Sequence, residues 1–221
     1  MQDVVVVLLL KLEFAVCTPH SRPMWTMLLV IAAYVSGSLP VGVWIGNWVG
    51  VDVRRVGSRN IGATNVARTI GRQAGLLTLL GDVAKGVVPT LLARHMMSDP
   101  WTIALTGLAA VFGHLFSVFL SFSGGKGVAT AFGVFVVLTP AAAALSACLF
   151  AVTAFRTGYI SLASILSAAA LPLITAVCGY PAPSSVMALL VAISIIVRHR
   201  DNIIRLRNGV EPRLAIRRGS K

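Results

Sequence analysis

The residues best suited to chemistry lie in one polar loop of an otherwise apolar chain. Residues 57–65 read GSRNIGATN and include Ser58, Asn60, Thr64 and Asn65. An unpartnered buried polar group costs roughly 2–7 kcal/mol, so this combination indicates that the side chains are used. Glycines let backbone amides approach a ligand closely. The loop therefore predicts a site for an anion such as a phosphate, with cations supplied by its flanking arginines, Arg54, Arg55, Arg68 and Arg72.

A second glycine loop, Gly124-Gly125-Lys126-Gly127, leads directly into an apolar segment. Free N–H groups at the start of a helix, together with a lysine, favour binding of an anion. We therefore count Gly124, Gly125 and Gly127 among the candidate phosphate-binding residues, beside Lys126. The loop lacks the spacing of a Walker A motif, and no parallel sheet accompanies it, so ATP binding is not indicated.

A third polar cluster, His199-Arg200-Asp201-Asn202, follows the last apolar segment, and Ser161 and Ser164 lie at the start of the segment before it. All three clusters are predicted to meet in one site at the inner membrane interface. No serine has a histidine and a carboxylate as sequence neighbours, so a protein nucleophile is not indicated, although spatial neighbours stay open. His199 would serve as a base only if the fold turns it inward.

Composition identifies an integral membrane protein. Of 221 residues, 57% are hydrophobic and only 12% are charged, and the mean hydropathy is +0.86, whereas soluble domains carry about 25% charged residues. The net charge of +12 reflects short basic loops and a basic tail, so we attribute it to membrane topology and expect no nucleic acid partner. The three cysteines and four histidines are scattered, which argues against a metal site or a disulfide.

The elements that position these clusters are predicted to be about seven transmembrane helices in an all-α fold, since a span needs about 20 apolar residues. Two of the segments are short and meet at Pro140. The predicted segments are 27–48, 74–94, 101–122, 128–139, 141–155, 159–179 and 184–198.

The distribution of basic residues predicts the orientation. The 49–73 loop, Lys126, Arg156 and the arginine-rich tail fall on one side if there are seven crossings, whereas the loops at 95–100, 140 and 180–183 contain no lysine or arginine. The positive-inside rule then places the N-terminus outside and the C-terminus in the cytoplasm. A five-crossing alternative, with 128–155 as one span, would put the tail outside, so the charges favour seven.

Asp82, Lys85 and His114 lie well inside the predicted spans, away from their ends. Asp82 and Lys85 are three positions apart and so lie on one helical face, where we expect them to pair. Ionisable groups within a membrane are functional candidates by default, but a self-neutralising pair is the simpler interpretation. His114 lies on an otherwise apolar helix and is expected to be a hydrogen-bonded packing residue. Ser36 and Ser38 are expected to bond back within their own helix.

The chain is predicted to form one domain over residues 26–214, followed by a basic tail at 215–221. Residues 4–16 are apolar but too short to span a bilayer, and they lack the basic start of a signal peptide. We interpret 1–25 as an N-terminal extension, with Met24 or Met27 as an alternative first residue.

These motifs together resemble the bacterial membrane acyl-phosphate:glycerol-3-phosphate acyltransferases. The resemblance covers about 28–214 and is carried by three long segments: DVRRVGSRNIGATNVAR (52–68), GHLFSVFLSFSGGKGVAT (113–130), and YISLASI (159–165) with RHRDNIIRL (198–206). The GSLP turn at 37–40 and GDVAKG at 81–86 also match. Residues 1–25 lie outside the family pattern.

The resemblance implies a seven-helix enzyme of the cell inner membrane, with its active site facing the cytoplasm. Such an enzyme moves a fatty acyl group from acyl phosphate to the 1-hydroxyl of glycerol 3-phosphate, giving lysophosphatidic acid for phospholipid synthesis. It needs no cofactor, acyl carrier protein or CoA. Carried over by motif, the active-site residues are Ser58, Arg68, Lys126, Ser164, His199 and Asn202, with Asn60, Thr64, Asn65 and the Gly124–Gly125 amides around the phosphate.

The chain departs from the family pattern at two positions. Arg59 stands where the family usually has glycine, which adds a cation to the loop and alters its turn, and Ser117 replaces a proline, which is expected to remove a helix kink.

Acyl phosphate is already activated, so direct attack by the glycerol hydroxyl needs orientation and charge stabilisation more than a protein nucleophile. Either His199 or a substrate phosphate oxygen would accept the proton. A lipid or anion transporter and a lipid-binding scaffold are alternatives, but no inverted repeat supports a transporter.

Overall fold

The computed structural model describes residues 22–213, which form ten α-helices and a 3₁₀ turn at Val118–Leu120, with no strand in this part of the chain. The predictions about residues 1–21 and 215–221 lie outside it. In chain order the helices are α1 Arg22–Ser38, α2 Val41–Trp48, α3 Ala63–Thr69, α4 Arg72–Met96, α5 Pro100–Leu115, α6 Val128–Leu138, α7 Pro140–Thr157, α8 Ile160–Val177, α9 Ala182–Arg198 and α10 Arg200–Arg207.

All seven predicted segments are helical, which confirms the all-α fold. Within residues 22–213, five spans are long and apolar enough to cross a membrane: Pro23–Trp48, Arg72–Met96, Pro100–Leu120, Pro140–Thr157 and Ile160–Val177. A sixth candidate joins α9 to α10 across a 58° bend, and α6 is a shorter apolar helix. The number of crossings and the orientation of the termini stay predictions.

The first span is broken in the middle, where Pro40 supplies no N–H and separates α1 from α2. Backbone carbonyls freed by a break inside a membrane need other donors. Here Lys85 Nζ donates to Leu39 O at 2.9 Å, and Ser117 Oγ donates to Ser38 O at 2.6 Å. Ser38 Oγ in turn donates to a carbonyl one helical turn back, as the sequence predicted.

Glycines let the helices approach closely at two crossings. A Cβ on Gly37 or Gly113 would lie 2.0–2.1 Å from a backbone oxygen of the facing helix where α1 crosses α5. A Cβ on Gly86 or Gly133 would lie 2.2 Å from such an oxygen where α4 crosses α6. Small residues at helix interfaces are the usual means of tight packing in membranes. These contacts fix α1 against α5, which precedes the second glycine loop, and α4 against α6, which follows it.

The main apolar core is built from α5, α6, α8 and α9 around Val111, Leu115, Val134, Phe135 and Val191. A second cluster of Val43, Val53, Ile61 and Val66 lies under the first polar loop. Leu120 of the 3₁₀ turn packs against this second cluster, so the connection from α5 to α6 touches the base of that loop.

Candidate active site

Asn65 organises the first polar loop. Its side chain is buried, and its Oδ1 accepts from Ser58 N at 2.8 Å. Its Nδ2 lies 2.8–3.2 Å from Val53 O, Val56 O and Asn60 O, which share its two N–H groups. Both ends of the amide are thus engaged within the loop. Asn65 therefore sets the shape of the loop and the position of Ser58, and its predicted contact with a substrate phosphate stays a prediction.

Three of the candidate site residues lie on the exposed side of this loop. Ser58, Thr64 and Arg68 are exposed, whereas Asn60 Oδ1 accepts from Gly62 N at 2.8 Å and closes a turn at the start of α3. Arg59 has a left-handed backbone with φ 58°, a conformation that costs a residue other than glycine about 1–2 kcal/mol. The turn thus has the geometry that suits the glycine expected there, and Arg59 extends a cation from it.

The two arginines before the loop share one carboxylate, that of Asp52. Arg54 forms a two-contact pair with Asp52, with its Nε 2.8 Å from Oδ1 and its second nitrogen 3.1 Å from Oδ2. Arg55 Nε lies 3.3 Å from the same carboxylate. This pairing holds the pKa of the Asp52 carboxyl below its usual range. Arg68 is therefore a better candidate than Arg54 or Arg55 for contact with an anion.

The amides of Gly124 and Gly125 in the second glycine loop are hydrogen-bonded to the end of α5, which corrects the expectation that these two amides are free. Gly124 N donates to Leu115 O at 3.1 Å, and Gly125 N donates to His114 O at 3.0 Å. The two glycine carbonyls accept from Arg198, at 2.6 Å for Gly124 O and 3.1 Å for Gly125 O. The amides of Gly124 and Gly125 are therefore occupied, and phosphate binding at these glycines and at Gly127 stays a prediction.

The side chain of Lys126, the next residue of this loop, lies in a polar cluster with residues of α10 and the segment after it. Its ammonium donates to Asn202 Oδ1, and Asn202 Nδ2 donates to Glu211 Oε1 at 2.6 Å. Arg205 Nε donates to the other oxygen of Glu211 at 2.7 Å. The second and third polar clusters of the sequence thus meet, as predicted.

Burial shifts the protonation of this cluster. It lowers the pKa of Lys126 from 10.5 to about 8, against the opposing charge of Glu211. Burial and then the charge of Lys126 lower the pKa of His199, which lies at the bend after α9, to about 4. Burial alone would raise the pKa of Glu211, but its neighbours Ser161, Asn202 and Arg205 outweigh burial and lower it. At neutral pH the cluster therefore holds a cationic lysine, a carboxylate and a neutral imidazole.

The imidazole of His199 is oriented for proton acceptance. Its Nδ1 lies 2.8 Å from Ile195 O, and because a carbonyl only accepts, Nδ1 carries the proton and Nε2 has a free lone pair. His199 is buried, so the fold does turn it inward. Ser164 is also buried, and its hydroxyl donates to Ile160 O within α8 at 2.9 Å.

The charged residues inside the bundle pair as predicted. Lys85 Nζ lies 2.9 Å from Asp82 Oδ1, and both side chains are buried. His114 Nδ1 lies 3.2 Å from Thr130 Oγ1 and 3.6 Å from Asp82 Oδ1. His114 is a hydrogen-bonded interior residue, as expected, and it lies directly beneath the second glycine loop.

Ser117 does not act as the sequence predicted. Loss of the proline is predicted to remove a helix kink, but α5 ends at Leu115, and Ser117 lies immediately before the 3₁₀ turn at Val118–Leu120. Its hydroxyl instead links this turn to the broken first span through Ser38 O.

Three residues that hold the site in place were not predicted from the sequence: Arg198, which binds the glycine loop, and Arg205 and Glu211, which form part of the Lys126 cluster. Arg198 and Arg205 lay within a quoted motif, but a tail rich in arginine obscures the individual roles of its members. Glu211 is the last acidic residue of the chain and follows a strongly basic stretch, a signal for a paired carboxylate. Residues 22–213 contain no group of three histidine, cysteine or acidic side chains that would hold a metal ion.

Comparison with known proteins identifies the family. A family model described as glycerol-3-phosphate acyltransferase matches residues 27–209. Curated relatives of that name are 49% identical in Geobacter sulfurreducens, over 85% of this chain and 96% of the relative, and 44% identical in Aquifex aeolicus, over 86% of this chain and 100% of the relative.

Two solved structures have a similar fold. Crystal structures of PlsY, an integral membrane glycerol 3-phosphate acyltransferase, superpose with a TM-score of 0.84 for the glycerol 3-phosphate form and 0.81 for the lysophosphatidic acid form. They are 43% and 42% identical and cover 86% and 85% of this chain and 96% and 94% of the solved chains. With a matching family model over most of its length, the chain belongs to the glycerol-3-phosphate acyltransferase family.

Proposed function

We propose that the chain transfers a fatty acyl group from acyl phosphate to the 1-hydroxyl of glycerol 3-phosphate, with lysophosphatidic acid and phosphate as products. Family membership supports the acceptor. The observation that carries the proposal is the cluster of Lys126, Asn202 and Glu211 beside a neutral, inward-facing His199. A cation in a partly dry site suits a phosphate, and a neutral imidazole suits a base.

In the proposed reaction the 1-hydroxyl oxygen attacks the acyl carbonyl carbon, and the bond from that carbon to the phosphate oxygen breaks. The phosphate leaves with the bonding electrons, and the hydroxyl proton passes to His199 Nε2 or to a substrate phosphate oxygen. Lys126 and Arg68 balance the phosphate charges. Lys126 is half-buried, so its contact with a phosphate is stronger than the same contact in water.

Direct transfer, without an acyl-enzyme, fits the serine geometry. The hydroxyl of Ser164 already donates a hydrogen bond to Ile160 O within α8. Ser58 is exposed on the first loop, and its ordered contact is through its backbone N–H to Asn65. We assign Ser58 to a polar contact with a substrate.

We further propose that the chain crosses the cell inner membrane seven times with this site on the cytoplasmic side. The support is the charge distribution: the basic loops and tail share one side under this topology. The cluster that contains Lys126 and Glu211 then lies at the cytoplasmic interface.

A donor comparison tests the proposal. Purified protein in detergent receives glycerol 3-phosphate with acyl phosphate, acyl-CoA or acyl carrier protein carrying the same chain, and lysophosphatidic acid is measured by mass spectrometry. We expect product from acyl phosphate alone. Product from the thioesters and none from acyl phosphate would reject the proposed donor.

A second arm tests direct transfer by withholding glycerol 3-phosphate. The protein should then stay unmodified after incubation with acyl phosphate, as judged by intact-mass measurement. An acyl adduct that maps to Ser58 or Ser164 and disappears when glycerol 3-phosphate is added would establish a covalent mechanism instead.

A further inference from the structure

A buried charged cluster lies beneath the second glycine loop, and the proposed reaction does not use it. Asp82, Lys85 and His114 are each exposed by 5% or less, and they come from two different helices, α4 and α5. Asp82 Oδ1 lies 2.9 Å from Lys85 Nζ and 3.6 Å from His114 Nδ1. The imidazole also has Thr130 Oγ1 at 3.2 Å, which fixes the orientation of the ring from α6.

This oriented histidine supports the glycine loop in two ways. Its backbone oxygen accepts from Gly125 N at 3.0 Å. Its ring lies so close to the loop that a Cβ on Gly125 would be 2.2 Å from Nε2, and a Cβ on Gly124 would be 2.0 Å from the His114 oxygen. The loop therefore rests on the imidazole, with Arg198 clamping its carbonyls. A rotation or loss of the ring changes where the loop sits.

The residue after this support is Lys126, whose ammonium enters the polar cluster with Asn202. We propose that Asp82, Lys85 and His114 form a positioning cluster that sets the placement of Lys126 for a substrate phosphate. This inference rests on the proposed role of Lys126 in the reaction. Asp82 and Lys85 act through His114, and His114 acts through Gly125, so none of the three touches a substrate.

Charge makes this a positioning device and not only a means of holding helices together. A buried ion pair is often no more stabilising than apolar residues of the same volume, so helix packing alone does not call for it. The pair gives the imidazole a fixed polar neighbour and also ties the break at Leu39 to α4 through Lys85. The Asp82–Lys85 pair thus stabilises one orientation of the His114 ring beneath the second glycine loop.

The test uses the purified full chain and two variant sets. The first is a cycle of Gly125→Ala, His114→Ala and the double variant. Gly125→Ala forces the new methyl against the ring, whereas the double variant removes that ring and restores space. The second set is the neutral pair Asp82→Asn/Lys85→Met, which leaves no unpaired buried charge. Thr90→Val is the matched control, because Thr90 is a buried polar residue of α4 that bonds only to Gly86 O of its own helix.

The readout is the Kd for glycerol 3-phosphate and for a non-hydrolysable acyl phosphonate, measured by titration calorimetry beside the melting temperature. Lys126→Ala identifies which ligand depends on the lysine. We expect Gly125→Ala and the neutral pair to weaken that same ligand by about tenfold or more, the scale seen when a group that orients a contacting residue is lost. The double variant should bind more tightly than Gly125→Ala, and the control should change melting temperature alone.

Wild-type Kd values in the neutral pair, or strictly additive effects in the Gly125–His114 cycle, would overturn the positioning role. Binding does not require turnover, so the two proposals are separable. If the wild type binds glycerol 3-phosphate but does not use acyl phosphate, the proposed function fails while the cycle still decides the role of the cluster.

Discussion

The ionisation of Lys126 makes a quantitative prediction about pH. Burial lowers the pKa of this lysine to about 8 in the free protein. If the cation holds a substrate phosphate, kcat/KM is constant below this pKa and falls above it as the ammonium loses its proton. Because kcat/KM reports the free enzyme, it should fall by about tenfold per pH unit above the pKa, leaving roughly a tenth of the activity one unit higher.

The acid side of the profile should not interfere. The pKa of His199 lies near 4 and the second pKa of a phosphate monoester is about 6, so the neutral base and the dianionic substrate both predominate between about pH 7 and 9.5. The alkaline decrease in kcat should occur at higher pH than the alkaline decrease in kcat/KM, because a bound phosphate stabilises the charged lysine. The assay is initial-rate formation of lysophosphatidic acid at varied glycerol 3-phosphate, with non-enzymatic decay of acyl phosphate subtracted at each pH.

Lys126→Arg separates this explanation from others, since a guanidinium stays charged across the whole range. The variant should lose the alkaline limb, whatever its absolute rate. A wild-type limb at pH 10 or above, or a limb near pH 8 that persists in Lys126→Arg, would refute the assignment of the titrating group.

Four further predictions follow from the site and the chain. Lys126→Ala or Arg68→Ala should lower kcat/KM by about a hundredfold or more, on the scale of losing one charge-stabilising donor; near-wild-type turnover would remove that residue from the site. Asn65→Ala removes the amide that joins Ser58 N to the carbonyls of Val53, Val56 and Asn60 and should destabilise the protein by about 2–4 kcal/mol, seen as a lower melting temperature; an unchanged value would mean that the loop holds its shape without Asn65. Cysteines placed in the 49–73 loop or the tail should resist impermeant reagents applied outside intact cells, and labelling of the tail would overturn the seven-crossing topology. Deletion of residues 1–23 should leave membrane insertion and activity nearly intact, and a shortened chain that fails to insert would show that the extension matters.

The apolar segments were predictable because each helix must bury a long hydrophobic stretch in lipid, and the Asp82–Lys85 pair followed from helical spacing alone. Two helices escaped prediction: α3, Ala63–Thr69, and α10, Arg200–Arg207. Both are short and polar, so they lack the hydrophobic signal that identifies a span. Their stability comes from contacts with neighbouring helices, which a sequence pattern does not reveal.

The candidate site was likewise predictable only in part. Residue types indicated that Lys126, His199 and Asn202 belong to one site, and the structure shows Lys126 in contact with Asn202. The pairing of the Gly124 and Gly125 amides was not predictable, because their acceptors are carbonyls at the end of α5, and any residue supplies a carbonyl. Glu211 was not predicted because its partners, Asn202 and Arg205, belong to α10. The position of α10 depends on the bend after α9, which a sequence pattern does not reveal.

The measurement that tests the central claim most directly is the stoichiometry of the reaction. Purified protein is given acyl phosphate and glycerol 3-phosphate, and lysophosphatidic acid and inorganic phosphate are quantified in the same samples, with Lys126→Ala prepared in parallel. We predict one lysophosphatidic acid for each enzyme-dependent phosphate released, and loss of both in the variant. Phosphate release without lysophosphatidic acid, or equal product formation by Lys126→Ala, would contradict the proposed transfer at this site.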